Sequence, residues 1–334
     1  MPRATRSDVA KLAGVSLATV SHIMNGRGRE LGFSKLTEAK VKAAAKQIGY
    51  IPRASARNFR YQKSRIIAFF TTEVPISLRL PVFNELLTSA IDAARNAGYF
   101  ILPILINGDP LETVQDTLRE VDLAGAILRD GSAIRSVQTL LDLSETPSVW
   151  INTGLPIPHN PDVTSIVIDE RPGVLQMLDL IPQKNISNPL IISGPGEQSG
   201  RIAAFQEVFP DANLVIADGW LPADGFNSGA HITKLNPDLI FACNDQLASG
   251  IVHFFSHTSK KSEIDVPVFG FGDITDLYSI PSKPFSTIEW PLAAAATKAI
   301  ELLLQQIDEN LPLIPGQVFT LPTKARPLRS TSQS

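Results

Sequence analysis

Leu17, Ala18, Ser21 and His22 stand at offsets of one, four and five positions, which at about 3.6 residues per turn sets all of them on one outward face of a short helix. Together they offer a hydroxyl, an imidazole that gives one donor or acceptor at a time, and two apolar groups, a set suited to recognition. The residues that could serve catalysis elsewhere fall short of a site. The stretch "SGPGEQSG", Ser193 to Gly200, has the glycine content of a phosphate cradle, yet it lacks the Lys-Ser/Thr ending of a P-loop and the spacing of a dinucleotide fingerprint. The 5 histidines are scattered, and His253 and His257 share a helical spacing without a third ligand. Cys243, the only cysteine, lies in "LIFACND", which reads as a buried strand end. A lone cysteine forms no internal disulfide, which fits a reducing cytoplasm.

The elements that must position these side chains follow from caps and periodicity. Ser7 is expected to cap a first helix with Val9, Ala10, Leu12 and Ala13 on one side and Gly14 as its stop; Ser16 caps a second, with Val20, Ile23 and Met24 inward and Asn25-Gly26 at its end. Only Gly14 and Val15 separate the two, and so short a turn forces a steep crossing, as in a helix-turn-helix. A third helix follows Ser34 and stops at Gly49. Beyond Pro52, the stretch Arg53 to Tyr61 has too little apolar surface to stay helical alone in water, which makes it a conditional helix. From Arg65 on, strand-like runs such as "RIIAFF", "PLIISG" and "DLIFACN" alternate with amphipathic stretches, the rhythm of doubly wound parallel sheets; the runs are too many for one sheet and comfortable for two.

Charge divides along the chain in the same place. Residues 1–65 hold 14 lysines and arginines against 3 acidic residues, so a chain of net charge −3 carries +11 there and −14 over residues 66–334. Such a basic arm either gains binding free energy by releasing counterions from a polyanion or is merely a solvated lysine-rich face. At 44% hydrophobic and 19% charged the composition is that of a soluble globular chain; the polar, basic opening "MPRATRSDVAKL" does not resemble a signal peptide, and no apolar run is long enough for a bilayer.

Several stretches occur together and in order: "DVAKLAGVSLATVSHIMNG" from Asp8 to Gly26, "FSKLTEAKV" from Phe33, "YIPRASARNFRYQKS" from Tyr50, "SGPGEQSGRIAAF" from Ser193, "CNDQLASG" from Cys243 and "VFGFGD" from Val268. Over nearly the whole chain this resembles the LacI/GalR family of bacterial transcription regulators. The resemblance implies an all-α helix-turn-helix headpiece over residues 1–50, a hinge over 51–64, and an α/β core of two doubly wound parallel-sheet subdomains similar to periplasmic binding proteins. The subdomains are expected at 65–164 with 290–317 and at 165–289 with 318–328, before a tail at 329–334. It also implies a cytoplasmic repressor with no cofactor and no membrane partner, working as a homodimer on a nearly palindromic double-stranded DNA operator and switched by a small molecule between the subdomains.

Residue by residue, the resemblance gives Leu17, Ala18, Ser21 and His22 to base edges in the major groove, and Ser16, Thr19 and Asn25 to phosphates. His22 replaces the usual arginine, and Leu17 and Ala18 are able to favour thymine methyls, so the half-site should differ from the family's common one. The loop from Arg27 to Gly32 is longer than usual; Arg27 and Arg29 either add phosphate contacts or sit in a loose surface loop. In the hinge, Phe59 takes the place of the leucine wedge of the minor groove and Ala56 stays small for hinge packing, the alternative being a Phe59 tucked against the core. The effector is expected to meet Arg201, Trp220 and Asn244 from one subdomain and Thr72 and Asn152 from the other. Asn152 and Gly272 stand where aspartates are frequent, which weakens the case for a neutral sugar and suits Arg201 to a phosphate or carboxylate. An enzyme and a solute-binding protein with a degenerate headpiece are the rival readings.

Overall fold

The computed structural model describes residues 4–50, 64–72, 81–106, 108–129, 134–153, 163–182, 185–196, 200–258, 266–273, 285–308 and 316–328, in two units, 1–64 and 65–334. In the first, helices α1 (Arg6–Ala13), α2 (Leu17–Met24) and α3 (Lys35–Gln47) close on Val9, Ala10, Val20, Ile23, Val41, Ala44 and Ala45. Each helix starts on a hydroxyl. Ser16 Oγ accepts from Thr19 N at 3.0 Å and Ser34 Oγ from Thr37 N at 3.1 Å. For α1 the cap is Thr5 and not Ser7. Thr5 Oγ1 accepts from Asp8 N at 3.3 Å while the Asp8 carboxylate accepts from Thr5 N at 2.9 Å, a reciprocal box that Ser7 cannot make because no acidic residue lies three positions after it. Gly14 ends α1 at φ 66°, the left-handed conformation that a Cβ disfavours, and so turns the chain into α2. Leu12, expected inside, is exposed.

The second unit holds two parallel sheets. The six-stranded sheet runs in the order β11 (Val318–Pro322), β5 (Ser165–Asp169), β4 (Ser148–Thr153), β3 (Gly125–Arg129), β1 (Ile66–Thr72), β2 (Phe100–Ile106). Alternate residues serve its two faces. Ile67, Phe69, Ile127, Val149, Ile151 and Ile166 meet α4 (Pro81–Asn96) and α11 (Leu292–Ile307), whereas Ala68, Phe70, Ala126, Leu128 and Trp150 meet α5 (Pro110–Glu120) and α6 (Ile134–Leu143). The four-stranded sheet runs β7 (Asn213–Ile216), β6 (Pro189–Ser193), β8 (Leu239–Ala242), β9 (Val268–Phe269). It is covered by α7 (Arg171–Asp179) and α8 (Gly200–Val208) on one face and by α9 (Pro222–Leu235) and α10 (Asp245–Thr258) on the other. Among the described residues no helix is long and apolar enough to cross a membrane.

The boundaries expected between the subdomains need correction. β5 pairs in parallel with β4 (Trp150 opposite Ser165), and β11 pairs with β5 (Val318 opposite Ser165), so Ser165–Asp169 and Val318–Pro322 belong to the first sheet and not to the second subdomain. The chain changes sheets after them, at Glu170 into α7 and at Thr323 into β12 (Lys324–Arg326), which lies antiparallel to β10 (Thr287–Glu289). Thr323 fastens these crossovers. Fully buried, its hydroxyl donates toward the carbonyls of Asp169 and Glu170 and accepts from Gly173 N at 3.0 Å. Gly173 must be a glycine, since a Cβ there would sit 2.5 Å from the Ile288 methyl and 2.7 Å from Thr323 Oγ1. Removing the hydroxyl strands a buried N–H, so Thr323→Val, though nearly isosteric, should lower the urea unfolding free energy by about 1–3 kcal/mol; an unchanged midpoint would show that the hydroxyl fastens nothing.

Candidate functional site

Two groups of site residues emerge, one in each unit. In the headpiece, Leu17 (49% exposed) and Ala18 stand at the exposed start of α2, with Ser21 and His22 half-buried one turn further along the same face. Ser16 and Thr19 sit at the α2 N-terminus with their hydroxyls 2.9 Å apart, where the first backbone N–H groups and the helix dipole favour an anion. Asn25 ends the helix, its amide donating to the Ser21 carbonyl at 2.7 Å. Arg27 is engaged: its guanidinium makes a two-bonded pair with Glu30 at 2.8 and 3.0 Å, and the segment 27–33 is closed by its own backbone hydrogen bonds. That closure excludes a loose loop. Phe33, which reasoning from the sequence passed over, stacks near the His22 ring, with centroids 6.4 Å apart at 27°. Ala56 and Phe59 lie outside the described residues.

In the core, Arg201, Trp220 and Asn244 come together beyond the carboxyl ends of β6 and β8, where ligands of parallel sheets usually bind. Thr72 and Asn152 hold the corresponding place in the six-stranded sheet, at the carboxyl ends of β1 and β4, paired with Ile106 and Val167. The polar groups of the first three are largely spent on the protein. Asn244 Oδ1 accepts from Leu247 N at 2.7 Å, capping α10, and its Nδ2 donates to the Trp220 carbonyl at 3.0 Å. Trp220 Nε1 donates to the Pro195 carbonyl at 3.1 Å, and the indole lies against Gly194, where a Cβ would come within 2.4 Å of the ring.

Arg201 departs most from expectation. Its side chain is only 8% exposed, and it pairs with Glu170, whose side chain is wholly buried. Nη1 donates to the Cys243 carbonyl at 2.7 Å, the backbone N of Arg201 donates to the Glu170 carboxylate at 3.0 Å, and the guanidinium sits in the corner of the edge-to-face rings of Phe271 and Trp290, 3.8 and 4.7 Å from their centroids. Its charge is thus answered inside the protein, although Nε is buried with no hydrogen-bond partner, and this weakens the case for a phosphate or carboxylate. Glu170 and Trp290 were missed because nothing in their spacing ties them to Arg201; a buried acid just after a strand and an "EWP" just before a helix were the available signals. Trp290 packs against the apolar layers of both lobes. Nearby, burial first, then Asp273 and Glu289 of the other lobe, hold Glu85 of α4 above the usual carboxylate range. Asp245, buried, accepts from Thr287 Oγ1 at 2.6 Å and so holds the turn. Among the described residues no group of three His, Cys, Asp or Glu could hold a metal ion.

A short-turned helix pair carrying an exposed second-helix face, in one chain with two parallel α/β lobes joined at Glu170, at Trp290 and at Thr323, defines a helix-turn-helix regulator with a core like that of periplasmic binding proteins. The comparisons agree. Residues 5–53 match the model of bacterial regulatory proteins of the lacI family, and residues 192–331 match that of the periplasmic binding protein-like domain. The chain is 27% identical, over 92% of its length and 93% of that protein's, to the HTH-type transcriptional repressor PurR of Vibrio campbellii, and 26% identical to that of Photobacterium profundum over 92% and 93%. Its fold is similar to that of the lac repressor dimer bound to operator and the anti-inducer ONPF (TM-score 0.78, 19% identity, 97% of this chain and 98% of that one) and of a CelR–cellobiose complex (TM-score 0.66, 20% identity, 97% and 98%). The chain thus joins a headpiece of the lacI family of bacterial regulatory proteins to a periplasmic binding protein-like core, and over nearly its whole length it is similar to transcriptional repressors.

Two outcomes test this core. Removing one partner of a buried pair leaves the other charge uncompensated, so Glu170→Ala should cost about 3–5 kcal/mol in denaturant unfolding, while Glu170→Leu with Arg201→Met should recover most of that loss; equal losses in the single and double variants would show that the pair is not the cause. Burial pushes the Cys243 thiol up to about 12, from 9.0 when free. Iodoacetamide should therefore label it only as fast as the core unfolds, and stability should fall as pH rises from 9 toward 12, because the unfolded thiol then ionises and the folded one does not.

Proposed function

We propose that the protein is a cytoplasmic, operator-binding repressor that acts as a homodimer and whose operator affinity is set by a small molecule held between the two lobes of the core. The exposed face of α2 carries this reading, because it is presented by a capped helix pair inside the one strongly basic stretch of an otherwise acidic chain. Leu17, Ala18, Ser21 and His22 meet base edges; Ser16, Thr19 and Asn25 meet phosphates; Ala56 and Phe59 form the wedge at the operator centre. Thr72, Asn152, Arg201, Trp220 and Asn244 surround the effector. With Glu170 answering Arg201, that effector is an uncharged, hydroxyl- or amide-bearing molecule that stacks on Trp220, the relatives' names pointing to repressors and one solved neighbour holding cellobiose.

Effector binding shifts a population. Closing the lobes about their crossovers favours one spacing of the two hinges in the dimer, and a shift from nearly all bound to nearly all free needs about 5.5 kcal/mol of differential affinity. Selection from a random DNA pool should return a pseudo-palindrome with an easily kinked central step. Against that site Phe59→Ala should lower affinity on the order of tenfold or more while non-specific binding stays intact; equal losses on both would remove Phe59 from the operator.

A further inference from the structure

The ring of His22 is not free to choose which nitrogen it presents. Its Nδ1 is buried with no hydrogen-bond partner. The cause is local. Arg27 N donates to the His22 carbonyl at 2.9 Å, which starts a closed turn; Phe33 N donates to the Gly28 carbonyl at 2.9 Å, which ends it. Gly28 is packed so close under Glu38 that a Cβ would lie 2.4 Å from its Oε1, and Arg27 pairs with Glu30 across the turn. The segment therefore returns Phe33, which packs on the headpiece core, to the side of the His22 ring at a centroid distance of 6.4 Å.

A buried lone pair without a partner costs less than a buried N–H without one, which is why orphaned N–H groups are the rarer of the two in proteins. We infer that His22 is a fixed single donor, with Nδ1 as the inward lone pair and Nε2–H as the outward group, and that Phe33 is the positioning residue that keeps it so. On the proposal that α2 lies in the major groove, on which this rests, a lone donor selects the base edge that shows acceptors and no donor there. Guanine offers two such acceptors, O6 and N7, and thymine one, O4 beside its methyl, so the guanine edge is favoured, while adenine and cytosine each turn an amino group to the same groove. The elongated turn thus acts in base selection without touching DNA.

Two measurements on the full chain test this separately. With ¹⁵N-histidine labelling and His22→Gln to assign the signal, long-range ¹H–¹⁵N spectra of the DNA-free protein should show Nε2 bearing the hydrogen and Nδ1 bare; a hydrogen on Nδ1 overturns the inference whatever DNA does. Selection from random DNA should then enrich guanine at one position of each half-site. Phe33→Leu should cut that preference on the order of tenfold with non-specific affinity unchanged, and Phe33→Tyr should keep it. A Phe33→Leu protein that loses affinity equally for all sequences shows Phe33 to be core packing alone and sinks its positioning role. No enriched site for the wild type overturns the operator reading, and with it the base assignment, while the nitrogen signals still decide how the ring is held.

Discussion

A guanidinium shut away from water must find its counter-charge and its hydrogen bonds inside the protein, and in this core one such group fixes the joint between the lobes. Arg201 opens α8 with its backbone on Glu170, sends one nitrogen to that same carboxylate and another to the end of β8, and is plated by Phe271 and Trp290. Glu170 is the first residue after the chain leaves the six-stranded sheet, and Trp290 precedes its return. The pair therefore joins the start of one helix, the end of one strand and two of the three crossovers. Desolvating two charges is costly, and stability alone is a weak reason to keep them. Position is a better one, since a charge pair with one satisfactory geometry leaves the lobes few ways to meet.

The headpiece rests on the opposite economy of means. Its core is seven small or branched residues, and two of its helices have only eight residues, too short to hold in water by propensity. Capping compensates. Thr5, Ser16 and Ser34 each satisfy backbone donors that would otherwise be orphaned, and Gly14 aims α2. The same caps leave the α2 N-terminus as an anion site and its far face uncommitted to the core.

What the sequence made legible divides along a physical line. Local chemistry was readable: Ser16, Gly14 and Ser34 are capping signals within a few residues of what they cap, and the α2 face follows from its period. The family motifs carried the two-lobed architecture with them. Misplacement came where the deciding partner is far away in the chain. Nothing in "TSIVI" or "GQVFTL" says which sheet the strand joins, because both sheets ask for the same buried, β-branched runs. Ser7 and Thr5 compete for one cap, and Asp8 decides between them. Arg201 read as a free cation because Glu170, 31 residues earlier, shares no motif with it. His22 read as an exposed reader, whereas its inner nitrogen is set by a turn that seemed merely long.

Within the headpiece, attraction and discrimination fall to different residues. The surplus of positive charge in residues 1–65 acts on any nucleic acid, through counterion release that ignores sequence. On the reading proposed above, base readout in the major groove falls to four side chains on α2, none of them an arginine or lysine. An arginine there would add affinity together with specificity, and would strengthen the grip on wrong sites as well, since its charge is felt by every phosphate nearby. A hydroxyl, two apolar groups and a one-sided imidazole add little to non-specific attraction, so what they contribute appears almost entirely as a difference between sequences. The reading face can be uncharged because the charge is elsewhere in the same unit, and it can be exacting only because the caps and the turn through Phe33 hold it still.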